Sequence, residues 1–181
     1  MLIIELLLIS FILYVSASLV YYTIKLGISP IPTSIVVRKH LLALVHKQYA
    51  NFSVLKIAEL GSGWGSLAIP IAKQFPAITV YAFEASFVPY WFARLRLLVS
   101  PQKNLVLMHK DFYNVPLTDF DMFVCYLYPN AMNKLRSKFE QELTKPAIII
   151  THTFAIHGWT AVETKKVNDL HQTTIYAYHY S

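Results

Sequence analysis

The sequence predicts an α/β chain: a doubly wound, mostly parallel sheet that ends in an antiparallel C-terminal hairpin and is preceded by one N-terminal transmembrane helix. Three observations predict it. Short apolar runs alternate with helical segments from residue 55 to residue 153, the pattern of parallel strands joined by right-handed crossovers. The first of these runs leads directly into Glu59-Leu60-Gly61-Ser62-Gly63-Trp64-Gly65, a glycine-rich strand-to-helix turn. Residues 6–24 carry no charge and are rich in Leu, Ile, Val and Tyr, enough for a helix to cross a hydrocarbon core of about 30 Å.

The N-terminal segment has Glu5 before it and Lys25 after it, with Tyr21 and Tyr22 at an interfacial position. A secretory signal would carry positive charge ahead of its apolar region; this chain has none there, and Ser16-Ala17-Ser18 makes a poor cleavage site. The expected division is a transmembrane anchor over 1–26, a linker and N-terminal helix over 27–53, and an α/β domain over 54–181. Lys25, Arg38, Lys39 and Lys47 follow the span. By the positive-inside rule the domain faces the cytoplasm, or the matrix side of a mitochondrial membrane if the source is eukaryotic.

Gly27 to Pro32 reads as a linker, because its prolines block helix continuation. Thr33 or Ser34 caps a helix over about 35–49. Strand one is expected over 55–60, a helix over 64–75, strand two over 78–84, a helix over 87–99 and strand three over 104–109. Strand four, 121–127, is apolar on both faces, as a central parallel strand requires. Asn130 is expected to cap a helix over 131–143, and strand five spans 147–153. Residues 161–180 read as two strands around a turn at Asn168-Asp169.

The net charge of +6 suits a domain lying against anionic lipid. The basic residues form no stripe interleaved with aromatics, so nucleic acid is not expected as a partner. Cys125 stands alone inside a predicted strand and the histidines are scattered, so no metal site is expected.

The glycine pattern carries the chemistry. Glycine lets a ligand approach the backbone at the end of a parallel strand. Glu84, at the end of strand two, is placed to accept both hydroxyls of a ribose. A dinucleotide fingerprint needs Gly or Ala where Ser66 stands, and no lysine follows as in a P-loop. The pattern present is E-x-G-x-G-x-G, from Glu59 to Gly65.

That pattern, with Glu84 and with Asp111-Phe112 after strand three, resembles the class I S-adenosylmethionine-dependent methyltransferases over roughly residues 55–155. The resemblance implies a Rossmann-like domain that binds S-adenosyl-L-methionine. It implies Glu59 near the methionine end of the cofactor, the turn Gly61, Ser62, Gly63 and Gly65 beneath it, Glu84 on the ribose, and Asp111 with Phe112 at the adenine. The methyl acceptor is then expected beyond strand four, with Tyr128 and Asn130 as the catalytic candidates that hold it. The aromatic motif of the adenine N6 enzymes is missing there.

A narrower set of segments is similar to the small membrane-anchored protein-lysine methyltransferases of the ATP synthase c-subunit and adenine nucleotide translocator type, with their prokaryotic relatives. The segments are Pro32-Thr33-Ser34, Glu59 to Gly65, Leu127-Tyr128-Pro129, and His157-Gly158-Trp159 through Tyr178. Trp64 and Ser66 depart from that family's usual acidic and basic residues. This resemblance implies methyl transfer to a nitrogen, a lysine, of a membrane-associated protein, with the bilayer as a second partner through residues 6–24. A lipid or lipophilic small-molecule acceptor, or a non-catalytic module, are the alternatives.

Overall fold

The computed structural model describes residues 1–26, 31–51 and 54–181. Most of the expected linker, residues 27–30, lies outside the described residues, as does the expected boundary at 53/54.

Helix α1 (Leu2–Leu26) is apolar throughout and exposed along most of its length. Helix α2 (Ile35–Asn51) is capped by Ser34, whose hydroxyl accepts from Val37 N at 3.3 Å. The domain then runs β1 (Lys56–Leu60), α3 (Ala68–Gln74), β2 (Thr79–Glu84), α4 (Phe87–Val99), β3 (Leu105–His109), β4 (Met122–Cys125), α5 (Pro129–Glu142), β5 (Ala147–His152), β6 (Glu163–Lys166) and β7 (Thr174–Tyr180). A single 3-10 turn, Phe112–Asn114, follows β3.

The seven strands form one sheet in the order β3-β2-β1-β4-β5-β7-β6. The first five are parallel; β7 pairs antiparallel with both β5 and β6. This is the Rossmann-like sheet with its C-terminal hairpin. The order turns around between β1 and β4, and such a reversal opens a crevice at the carboxyl ends of the strands. The central strands β4 and β5 are buried at every residue, as a sheet covered on both faces requires. One core layer joins Val37, Leu41 and Val45 of α2 to Ala68 and Ile71 of α3. The other places Met132, Leu135 and Phe139 of α5 against Phe123 and Ile149.

Polar ties fix the strand starts. Asp121 Oδ2 accepts from Leu55 N and Lys56 N at 2.9 Å each, and Lys145 Nζ donates to its Oδ1 at 2.7 Å. Burial alone would raise the pKa of this carboxyl, but Lys145 and the two backbone donors bring it below its ordinary value. Asn104 Nδ2 lies 2.8–3.0 Å from the carbonyls of Ala72, Phe75 and Ile78, closing α3 against β2.

Three boundaries near the crevice differ from expectation. The helix expected over 64–75 begins at Ala68, because Gly63 and Gly65 take φ of +53° and +70° and cannot continue a right-handed helix. The helix expected to be capped by Asn130 is capped by Tyr128 instead. Pro129 occupies its first position, where its fixed φ and missing N–H cost nothing. Strand four correspondingly stops at Cys125, leaving Tyr126 in the crevice rather than in the sheet.

Candidate active site

The carboxyl ends of β1 and β2 build one wall of the crevice. Gly61 N and Ser62 N both donate to Phe83 O, at 3.0 and 2.9 Å. This pins the glycine turn to the end of β2. Gly61 has φ +79°, and a Cβ there would stand 3.2 Å from Leu127 Cδ2. At Gly63 a Cβ would meet nothing within 4 Å, so that position faces open space. Glu84 is buried. Its Oε2 accepts from Gly63 N and its Oε1 from Ser86 N, each at 2.7 Å. One carboxylate therefore holds the glycine turn and the start of α4 together. Each oxygen keeps a second lone pair for a ligand hydroxyl.

Glu59 lies beneath the turn at 3% exposure, and its Oε2 has no hydrogen-bond partner among the described residues. Ser62 Oγ is unpartnered in the same way. Burial raises the pKa of Glu59 well above the ordinary carboxylate range; a backbone N–H at Ala68 opposes this and the charge of Glu84 adds to it. Asp111 accepts from Tyr113 N at 3.0 Å through Oδ1 and so caps the 3-10 turn, which sets buried Phe112 into the crevice.

The other wall comes from Tyr126 and Leu127, just after β4, and from the segment before α2, backed by His152 of β5. Tyr126 stacks on His152, with centroids 4.3 Å apart and planes 22° apart. His152 is buried; its Nε2 lies 3.2 Å from Thr33 Oγ1 and its Nδ1 3.2 Å from Thr153 Oγ1. Thr33 N also donates to Ser66 Oγ at 3.3 Å, and Ile31 and Thr33 line the crevice. Burial lowers the His152 pKa to about 4 despite the charge of Asp169, so the imidazole is neutral at physiological pH. The pKa of Tyr126 is raised, first by burial and then by Tyr128. Thr153 sits at φ +71°, an outlier for a β-branched residue.

Glu59, Gly61, Ser62, Gly63, Glu84, Asp111 and Phe112 all line this one crevice. Gly65 does not; it packs under the turn, where a Cβ would approach Ala93 Cβ at 3.2 Å. Tyr128 and Asn130 stand at the start of α5, outside the lining. The Tyr128 ring lies 5.4 Å from that of Phe154. From sequence His152 was not a site candidate, Thr33 read only as a helix cap, and Tyr126, at the end of strand four, read as a packing residue. The one available signal was Pro129: a proline at a helix start ends the strand earlier and releases Tyr126 into the loop. Among the described residues no group of His, Cys, Asp and Glu could hold a metal ion.

Residues 59–163 match the ANTKMT methyltransferase domain, more than half of the chain. The chain belongs to the ANTKMT methyltransferase domain family. It is a class I S-adenosylmethionine-dependent methyltransferase, and S-adenosyl-L-methionine is its cofactor. A protein-lysine N-methyltransferase of Saccharolobus islandicus is 28% identical over 129 residues, 67% of this chain and 77% of that protein. Among solved structures, an RNA methyltransferase of Salinibacter ruber with S-adenosyl-L-homocysteine aligns at a TM-score of 0.70 and 21% identity. It covers 82% of this chain and 93% of that one. The magnesium protoporphyrin IX methyltransferase of Synechocystis with bound S-adenosylmethionine aligns at 0.62 and 14%, over 80% and 78%. These two similarities speak for the fold.

The crevice fits such a cofactor. Its floor offers two buried oxygens, on Glu59 and Ser62, without a partner among the described residues, and a glycine facing open space. Its side offers Glu84, with lone pairs to spare. Among the described residues one helix, Leu2–Lys25, is long and apolar enough to cross a membrane.

Proposed function

We propose that this methyltransferase transfers a methyl group from S-adenosyl-L-methionine to a lysine nitrogen of a membrane-associated protein. In this reading α1 anchors it through residues 6–24 and holds the catalytic domain on the cytoplasmic side. The observation that carries the lysine assignment is the 28% identity to a protein-lysine N-methyltransferase over 77% of that relative. The basic residues after α1 and its apolar length support the membrane part.

The cofactor supplies an electrophilic methyl group on its sulfonium sulfur. Gly61, Ser62 and Gly63 provide a surface without side chains for its methionine end, and Gly65 lets the turn pack. Glu59 receives the cofactor's ammonium, which compensates its buried carboxyl. Glu84 accepts from the ribose hydroxyls, and Asp111 with Phe112 flanks the adenine. The acceptor amine approaches along the Tyr126 wall, with Tyr128 and Asn130 bordering the way in. A lysine ammonium must lose its proton to water before it can attack, and an apolar crevice favours the free amine. His152 is not the base: its pKa is about 4 and both ring nitrogens face hydroxyls. Tyr126 keeps its proton, and its hydroxyl oxygen can accept from the amine.

The test is to incubate the full-length protein, in vesicles, with membranes of its source and cofactor bearing a labelled methyl group. Label in protein, released on hydrolysis as methyllysine, is the expected result. Label in the organic extract would replace this reading with a lipid or lipophilic acceptor.

A further inference from the structure

Helix α4 has an outer surface unlike that of a helix facing water. Phe87, Trp91, Leu95 and Leu98 follow one another at helical spacing along one side, at 38, 45, 58 and 74% exposure. Phe92 and Val99 widen the stripe. A contiguous exposed apolar surface of this kind marks an interaction site. Two features identify its occupant as lipid. The first is the rim: Arg94 lies over the Trp91 ring, 5.7 Å from its centroid, on the same side of the helix. A long cation beside an amphipathic indole is the arrangement that holds apolar groups below headgroup level while the charge stays in water.

The second feature is depth. Helix α1 meets the domain at α4, where the rings of Tyr14 and Phe87 pack edge-on with centroids 6.5 Å apart. Tyr14 lies midway along α1. Within the uncharged span the residues ahead of it, 6–13, extend only about 12 Å at 1.5 Å per residue, short of a core of about 30 Å. For α1 to cross with this contact kept, hydrocarbon must also lie on the domain's side of Tyr14. That brings Phe87, where the α4 stripe begins, into the bilayer and sets the helix at the membrane, as in interfacial helices. Tyr21 and Tyr22, two turns further along α1, then reach the headgroups.

We propose that α4 is a second membrane-contacting element, which sinks its Phe87–Trp91–Leu95–Leu98 face into the cytoplasmic leaflet beside α1. This rests on the membrane reading above and extends it. Ser86 and Glu84, which precede α4, line the crevice, so docking α4 holds the crevice at the membrane surface, within reach of an acceptor there.

Spin labels on full-length Leu98→Cys, Leu7→Cys and Ser137→Cys variants, reconstituted sparsely in phosphatidylcholine/phosphatidylglycerol vesicles, test this by power saturation. All three positions are exposed and the native Cys125 is buried, so folding and selective labelling are expected to survive. Position 98 should show a severalfold higher ratio of oxygen to aqueous-nickel accessibility than position 137 on α5. A ratio at 98 equal to that at 137, with position 7 in lipid, overturns the inference and leaves the proposed function standing. All three in water would overturn both. Protection of 98 from oxygen and nickel alike would mean a protein contact, a second copy included, and also overturns it.

Discussion

The two walls of the crevice are made differently. The β1–β2 wall is mostly backbone: glycines at positive φ, two N–H groups on Phe83 O, and one carboxylate bridging two further N–H groups. The β4–β5 wall is side chains: Tyr126 on His152, His152 on two threonine hydroxyls, and Thr33 arriving from before α2. A backbone wall tolerates little change, because each residue is fixed by conformation. A side-chain wall can be rebuilt around another acceptor while the cofactor stays in place.

The largest effect expected from that contrast is at Gly61. Gly61→Val combines a positive φ with a Cβ 3.2 Å from Leu127, a backbone strain of about 1–2 kcal/mol before any clash. Calorimetry should find cofactor binding abolished. Retained affinity would remove the turn from the site. Gly63→Ala separates strain from occupancy, since its Cβ has free space. It should cost modest stability without ligand and far more affinity with it.

Glu84→Ala comes next. It removes a charge-assisted acceptor worth about 1.5–3 kcal/mol, so titration should show cofactor affinity falling roughly ten- to hundredfold. Glu59→Gln tests the buried acid. With its folded pKa raised, Glu59 holds its proton more tightly in the folded chain. Its burial costs nothing below the ordinary carboxylate range, and stability is lost as pH rises from there through the folded value. Glu59→Gln should therefore raise the Tm of the cofactor-free protein at pH 8, by about 2–4 °C per 1 kcal/mol recovered, while weakening cofactor binding. A lower Tm would mean that the carboxylate has a partner.

On the side-chain wall, Tyr126→Phe should lower kcat more than Tyr128→Phe, with cofactor affinity unchanged in both. The reverse ranking would move the acceptor to the cap of α5. The smallest effect is at His152, whose pKa falls from 6.5 to about 4 on folding. Its contribution is present above pH 6.5 and lost as pH falls toward 4. In His152→Gln the acid limb of a Tm–pH profile should flatten over that window.

This division also explains how much of the site was legible. Gly61, Gly63 and Glu84 could be placed in the crevice from spacing because a close backbone approach demands glycine and a fixed distance to the next strand end; Asp111 followed only from the family resemblance. The helix start was misplaced by four residues because the same glycines that mark the turn also delay the helix. Tyr126 resembled core because β4 looked longer than it is, and Asn130 resembled a cap because Pro129 was not weighed as a first helical residue. Nothing in the order of residues links Thr33 to His152, which are 119 positions apart.

By itself the sequence determined the alternation of strands and helices, the apolar α1 and the glycine turn with Glu84 at the next strand end. Each follows from local periodicity or from a conformation that few residues can adopt. Only the tertiary structure decided which aromatic lines the crevice, that Ile31 and Thr33 join it, and that Phe87 at the start of α4 meets the middle of α1. Those depend on which strand ends the sheet order brings together, and side-chain contacts across the fold leave no periodic trace along the chain.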